Sequence, residues 1–261
     1  EFESSARCCA DLQKDAKVFL ANCPSTSEKE RLAFQSIKKL MPPSCKCMEE
    51  NLLRSLHSNL SLPPRQLPRG YIAFVRSKVS RLFRKGWDSG IYSGYCQTSS
   101  PGLAGTTDFS RREGGCKSGF DDHSQFMGAV LGSFPYDLPR IEAELMVVQS
   151  AGKPRPLTKF SSVDFLLQPL HKSIYDRISK SGWLCRGDPT SEKLSSAGFR
   201  SDRGVLVSGD YRSATDNLSI EVAEAILDEI LRNTVSVPVS VKAHARAILR
   251  PLLWNLDYDI E

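Results

Sequence analysis

The residues best placed to do chemistry lie between 204 and 219, in the string Gly-Val-Leu-Val-Ser-Gly-Asp-Tyr-Arg-Ser-Ala-Thr-Asp-Asn-Leu-Ser. Two carboxylates, Asp210 and Asp216, are separated by five residues and follow the apolar run Val205-Leu206-Val207. A β-branched run of this kind is the pattern of a fully buried strand. The expectation is a strand that holds Asp210 at the edge of the core, where a rigid carboxylate suits a hard divalent cation. Asp216 falls near the start of an amphipathic helix in which Leu218, Val222, Ile226 and Ile230 recur at helical spacing. The same residues allow a plainer reading, with Asp210 as a turn residue and Asp216 or Asn217 as a helix N-cap.

Positive charge gathers elsewhere. Residues 141–149 read as a strand, 150–152 as a turn and 155–158 as a returning strand. Pro154 and Pro156 cannot donate to a ladder, so the returning strand should be an edge. Alternation puts Lys153, Arg155 and Lys159 on one side of it, and a stiff edge bearing three cations suits a triphosphate. Residues 65–120 contain ten basic side chains against three acidic ones, which is compatible with phosphate contact and equally with a solvated helix face. Within them, Gly114-Gly115 permits a tight turn after Arg111-Arg112-Glu113. That turn could bring both arginines to a phosphate backbone or leave them solvated at the surface.

Residues 208–218, Ser-Gly-Asp-Tyr-Arg-Ser-Ala-Thr-Asp-Asn-Leu, closely resemble motif A of viral RNA-dependent RNA polymerases. The spacing of the two aspartates, followed by Asn-Leu, is similar to the branch that holds the narnaviruses, the ourmia-like viruses and the RNA phages. Gly-Lys-Pro-Arg-Pro-Leu-Thr-Lys at 152–159 resembles motif F, the fingertip hairpin of the same enzymes. The Arg/Gly-Gly segment at 111–115 and Trp-Leu-Cys-Arg-Gly at 183–187 resemble segments of the ourmia-like polymerases. The likeness covers about residues 86–232, and residues 1–85 carry none of it.

The resemblance implies an RNA-directed RNA polymerase of a mycovirus, a nucleotidyltransferase acting in the host cytoplasm on RNA template, RNA product and NTPs. It implies two Mg²⁺ (or Mn²⁺) ions about 4 Å apart, with Asp210 as the bridging carboxylate and the Tyr211 carbonyl as a further ligand. It makes Asp216 the acceptor for the ribose 2′-OH, and gives Lys153, Arg155 and Lys159 to the triphosphate. Arg111, Arg112 and Arg186 become RNA contacts. The fold it implies is α+β, a fragment of the polymerase right hand. Residues 1–85 form an N-terminal helical region, 86–203 mostly helical fingers with the β-hairpin fingertip, and 204–261 the start of the palm. The pattern also departs from the family. Neither the glycine-rich motif B nor a Gly-Asp-Asp loop follows Asn217. The expectation is a chain inactive alone, its missing palm and thumb portion lying downstream or on a second protein. The first residue is not Met and the last are Tyr-Asp-Ile-Glu, so both ends are expected to continue into something longer. The rival expectation is a non-catalytic RNA-binding or assembly module derived from a polymerase.

Composition bounds these readings without deciding them. With 261 residues and 40% hydrophobic content the chain can bury a sizeable core. A net charge of +5 permits a nucleic-acid partner. No apolar run approaches the ~18 residues of a membrane span, and the acidic, polar start is unlike a signal peptide. The absence of G-x-S-x-G argues against a generic α/β hydrolase. Eight cysteines are scattered, with Cys8-Cys9 and Cys45-Lys46-Cys47 lacking the C-x-x-C spacing of zinc sites. Reduced thiols are expected, not a metal framework.

Helices are expected over 11–20, from a Ser27–Glu30 capping box through Leu40, and through Leu52–Leu60. Another should run over 123–134, capped by Asp122 or Ser124, which argues against Asp121-Asp122 as a displaced catalytic loop. Further helices should run through Leu166–Ile178 after a Ser161 or Ser162 cap, and over 239–254.

Overall fold

A computed structural model describes residues 4–22, 24–37, 45–134, 136, 138, 140–150, 153–200, 202, 204–205, 207, 209, 211 and 214–260. The fold is mixed α+β, with a three-stranded sheet and several helices. The chain forms two compact units that interleave in sequence. The smaller comprises residues 1–62, 143–159 and 253–261, the larger 63–142 and 160–252. No helix among the described residues is long and apolar enough to cross a membrane.

In the smaller unit, α1 (Cys9–Ala21), α2 (Glu28–Ser36) and α3 (Lys46–Leu60) accompany the hairpin of β1 (Glu142–Ser150) and β2 (Lys153–Lys159). A short β3 (Leu252–Trp254) completes the sheet in the order β2-β1-β3. β2 is therefore an edge, as its two prolines require. Alternation along β1 sends Ala143 and Leu145 inward, where Leu145 joins Leu53 and Leu56 of α3 and Ile260 in a small core. Each such aliphatic side chain contributes about 1.5–3 kcal/mol when fully buried. The Asn255 amide donates to the Leu145 carbonyl at 2.7 Å, and Asn255 pairs with Ile260 through both backbone bonds.

The larger unit packs α4 (Tyr71–Leu82) on α9 (Ile220–Arg232), and α5 (Ile91–Thr98) on α7 (Gln168–Ser179). Around these stand α6 (His123–Leu131), α8 (Ser191–Ser196) and α10 (Val239–Ala247). Its core gathers Phe83, Trp87, Tyr92, Phe126, Leu166 and Leu231 among others. The polar tips of the buried aromatics are satisfied: Trp87 Nε1 donates to the Ile230 carbonyl at 3.1 Å and the Tyr92 hydroxyl to that of Val130 at 2.6 Å.

Several sequence expectations change in detail. Asp122 caps α6 by accepting the Gln125 N–H at 2.8 Å, and Gly132 ends it at φ 75°. The Ser27–Glu30 box does not close, because Glu30 instead accepts from the Ser25 hydroxyl. The expected helix through Leu166 splits into a 3₁₀ turn, Val163–Leu167, and α7, with Pro169 tolerated in the first turn of α7. The expected helix over 239–254 stops at Ala247, since Pro251 breaks it and Leu252–Trp254 joins the sheet. Residues 91–98 show no helical periodicity in sequence yet form α5, which buries Tyr92 and Cys96 against the rest of the unit.

Glu229 is buried on α9, where it accepts hydrogen bonds from the Ser80 hydroxyl, Arg232 Nη2 at 2.5 Å and Asn233 Nδ2 at 3.3 Å. Burial pushes its carboxyl up, but the bonds from Ser80, Arg232 and Asn233 outweigh it and hold the group below the usual 4.5. A carboxylate depressed on folding adds stability above its unfolded pKa and loses it as pH falls through the folded value. Glu229→Gln is therefore expected to lower the urea midpoint at pH 7 and to weaken the loss of stability on acidification below about pH 4.5. Identical acid profiles for the two proteins would contradict this.

Candidate functional site

The hairpin brings two of the three expected phosphate-binding cations, Arg155 and Lys159, to one face. Its register pairs Lys153 with Ser150, Arg155 with Val148 and Lys159 with Glu144, all even-numbered partners on one side of β1. The opposite side of β1 carries the buried Ala143 and Leu145. Arg155 is exposed. Lys159 is half-buried, with Nζ 3.0 Å from Glu144 Oε2, so part of its charge is neutralised within the sheet. This pairing was not visible in the sequence, because it depends on register and not on spacing.

The remaining expected site residues belong to the larger unit. Arg111 and Arg112 occupy a 3₁₀ turn, Arg111–Glu113, and both are exposed. A capping box between Ser110 and Glu113 fixes this turn, and Ser110 N–H donates to the Glu113 carboxylate at 2.7 Å. Gly114 and Gly115 follow at φ 99° and 59°. A Cβ on Gly115 would lie 2.5 Å from the carbonyl oxygens of Leu103 and Ala104, so the close backbone approach as well as the positive φ demands glycine there. Arg186 is half engaged on α7, its guanidinium 4.7 Å from the Tyr175 ring centroid and 3.7 Å from Asp176.

The motif A stretch differs from expectation. Val205 and Val207 lie outside any strand and are 91% and 86% exposed. An apolar run becomes a strand only where a neighbour accepts its hydrogen bonds and a second layer covers it, and among the described strands none pairs with it. Asp210 lies outside the described residues. Tyr211 is exposed, and Asp216 is half-buried in a turn where its Oδ1 accepts from the Thr215 hydroxyl at 3.2 Å. Neither Asp216 nor Asn217 caps α9. The N-cap is Ser219, and Leu218 falls before the helix, exposed.

The basic region expected over 65–120 has its clearest form on α4. Val75, Val79 and Leu82 turn toward the core, while Tyr71, Phe74, Lys78 and Arg81 share the exposed face at three- and four-residue spacing. The Tyr71 and Phe74 rings stack with centroids 6.4 Å apart, and Lys78 Nζ stands 5.1 Å from the Phe74 centroid. Aromatics interleaved with cations on a solvent face form a platform for unpaired bases and phosphates. Lys85 has a different task, donating to the carbonyls of Arg232 at 3.1 Å and Thr234 at 3.4 Å after the end of α9. A groove of about 820 Å³ between Arg140 and α10 is lined by Arg246 and Arg250. Those two are paired with Asp228 and Glu224, which cancels much of its charge.

One cluster contradicts the expectation of scattered thiols. Cys9 opens α1, Cys45 is the N-cap of α3 and Cys47 sits in its first turn. Among the described residues, the three Sγ atoms lie within 4.8 Å of one another, and those of Cys45 and Cys47 are 2.8 Å apart. Hydrogen bonds from the Cys47 and Cys9 thiols and the Met48 N–H pull the Cys45 thiol down to about 7. The bond to Cys45 pushes the Cys47 thiol up to about 11 and raises that of Cys9 as well. The signal in the sequence is that each cysteine pair stands at the start of a helix, which the C-x-C spacing hides.

No protein-family model, no curated protein and no solved structure matches this chain.

Proposed function

We propose that the chain is the fingers and first palm portion of a viral RNA-directed RNA polymerase with a right-hand fold, acting in the host cytoplasm. The observation that carries this reading is the hairpin. An edge strand stiffened by two prolines presents Arg155 and Lys159 on one face, with Lys153 at its first position, and the motif A string follows it in the sequence. Cations fixed in advance on a rigid element stabilise a triphosphate and the departing pyrophosphate without reorganising during the reaction. Asp210 and the Tyr211 carbonyl are hard oxygen donors of the kind Mg²⁺ takes. When bound, Mg²⁺ (or Mn²⁺) would lower the pKa of the attacking 3′-OH and offset the charge developing at the α-phosphate. Asp216 would accept the 2′-OH of the incoming nucleotide, and Arg111, Arg112 and Arg186 would hold RNA phosphates. Motif B and the Gly-Asp-Asp carboxylates would come from a further palm and thumb portion, so these 261 residues alone would not synthesise RNA.

In the enzyme assembled with that portion, Arg155→Ala is expected to raise the KM for NTPs about tenfold, the loss of one charge-assisted contact. RNA affinity should change little. Lys159→Ala should have a smaller effect, because Glu144 already holds that ammonium. An unchanged KM together with weakened RNA binding would contradict the assignment.

A second reading, a non-catalytic RNA-binding or assembly module, is favoured by the aromatic and basic face of α4 and by the exposure of Val205 and Val207. Under it, Phe74→Ala weakens RNA binding and Arg155→Ala leaves every nucleotide parameter untouched.

A further inference from the structure

We propose that Cys9, Cys45 and Cys47 form a zinc site that fastens α1 to α3. The chain brings together three sulfurs from two helix starts that are far apart in sequence. Zn²⁺ bonds thiolate sulfur at about 2.3 Å, so the sulfurs of a tetrahedral site are about 3.8 Å apart. All three sulfurs lie within 4.8 Å of one another and one pair is at 2.8 Å, so each is within a small side-chain rotation of that value. Rotation about the Cys47 Cα–Cβ bond opens the close pair and draws the three into coordination. Each thiol gives its proton to solvent as its metal bond forms. Soft sulfur donors select zinc and exclude Mg²⁺, so this centre is separate in chemistry from any site at Asp210. Water fills the fourth position in the simplest case.

The small core of this unit gives the reason such a staple is useful. Its buried cluster is Leu53, Leu56, Leu145 and Ile260, and it takes no side chain from α1 or α2. α1 buries Leu20, and α2 buries none of its residues. A unit with so little apolar burial is commonly held by metal or disulfide cross-links. Both helix N-termini also direct their partial positive charge toward the thiolates.

The test is a titration of the full chain, purified reduced and free of metal, with Co²⁺ alone. The expected result is one equivalent bound, with thiolate-to-cobalt charge-transfer bands and tetrahedral d–d bands that one equivalent of Zn²⁺ bleaches. Cys9→Ser and Cys45→Ser should each weaken binding about 100-fold or more, with unchanged far-ultraviolet circular dichroism. Cys185→Ser, an exposed cysteine of the other unit, should bind as the parent does. The proposal is overturned by absence of the charge-transfer bands in the reduced parent chain, or by bands that survive Cys45→Ser. It is equally overturned if a Cys45–Cys47 disulfide forms in the presence of reductant and Co²⁺.

Discussion

Asp88→Ala is expected to destabilise the larger unit by about 2–4 kcal/mol. Asp88 is completely buried, and its carboxylate accepts three consecutive backbone N–H groups: Val235 at 2.9 Å, Ser236 at 2.7 Å and Val237 at 3.1 Å. It thereby fixes the link between α9 and α10 against the turn that joins α4 to α5. The Gly86 N–H, donating to the Asn233 carbonyl at 2.8 Å, and the Lys85 ammonium pin the same corner from either side. Alanine leaves three donors without an acceptor, of which that of Val237 is buried and costs about 1–3 kcal/mol, while those of Val235 and Ser236 lie nearer the surface and regain part of their loss from water. Asp88→Asn keeps one acceptor oxygen but turns an NH₂ toward the remaining amides, so it should recover less than half of the loss. The check is urea unfolding followed by the fluorescence of Trp87, which is buried beside Asp88. A midpoint shift equivalent to less than about 1 kcal/mol for the alanine variant would show that the three amides find other partners.

This corner also shows what sequence can and cannot convey. The hairpin was legible because its signals are local: alternation in β1, the turn-forming residue types Ser-Ala-Gly that follow it in the sequence, and prolines that force β2 to the edge. α9 and α3 were legible through their apolar periodicity. Asp88 was not, because nothing near it in sequence marks it as the acceptor for amides at 235–237. The Lys159–Glu144 pair and the three-cysteine cluster were hidden for the same reason, each depending on register or on contact between distant segments. α5 leaves no helical signal in the sequence because Ser93, Gly94 and Thr98 are weak helix formers, and burial of Tyr92 and Cys96 supplies what propensity does not. The opposite failure occurred at Val205 and Val207. Their β-branched character argued for a buried strand, but propensity gives no strand without a neighbour to pair with. The reading of that stretch as motif A therefore rests on the residue string and not on its surroundings.

The account's largest functional effect accordingly falls on Asp210. Under the proposed function Asp210 would hold the Mg²⁺ that offsets charge developing at the α-phosphate, and removing it would forfeit several kcal/mol of transition-state stabilisation. At about 1.36 kcal/mol per decade this is a loss of about a thousandfold or more in rate. Under the proposed function RNA is held by arginines and by the α4 face in other parts of the chain, so its binding should persist within about threefold. Asp216→Ala should act differently, keeping synthesis but relaxing the preference for ribonucleotides over deoxyribonucleotides, because only the 2′-OH distinguishes the two. The most direct test is primer extension by Asp210→Ala in the enzyme reconstituted with its palm and thumb portion, alongside RNA affinity measured on the same preparation. The account predicts extension lost by about a thousandfold with RNA affinity retained; extension at the parent rate would contradict it.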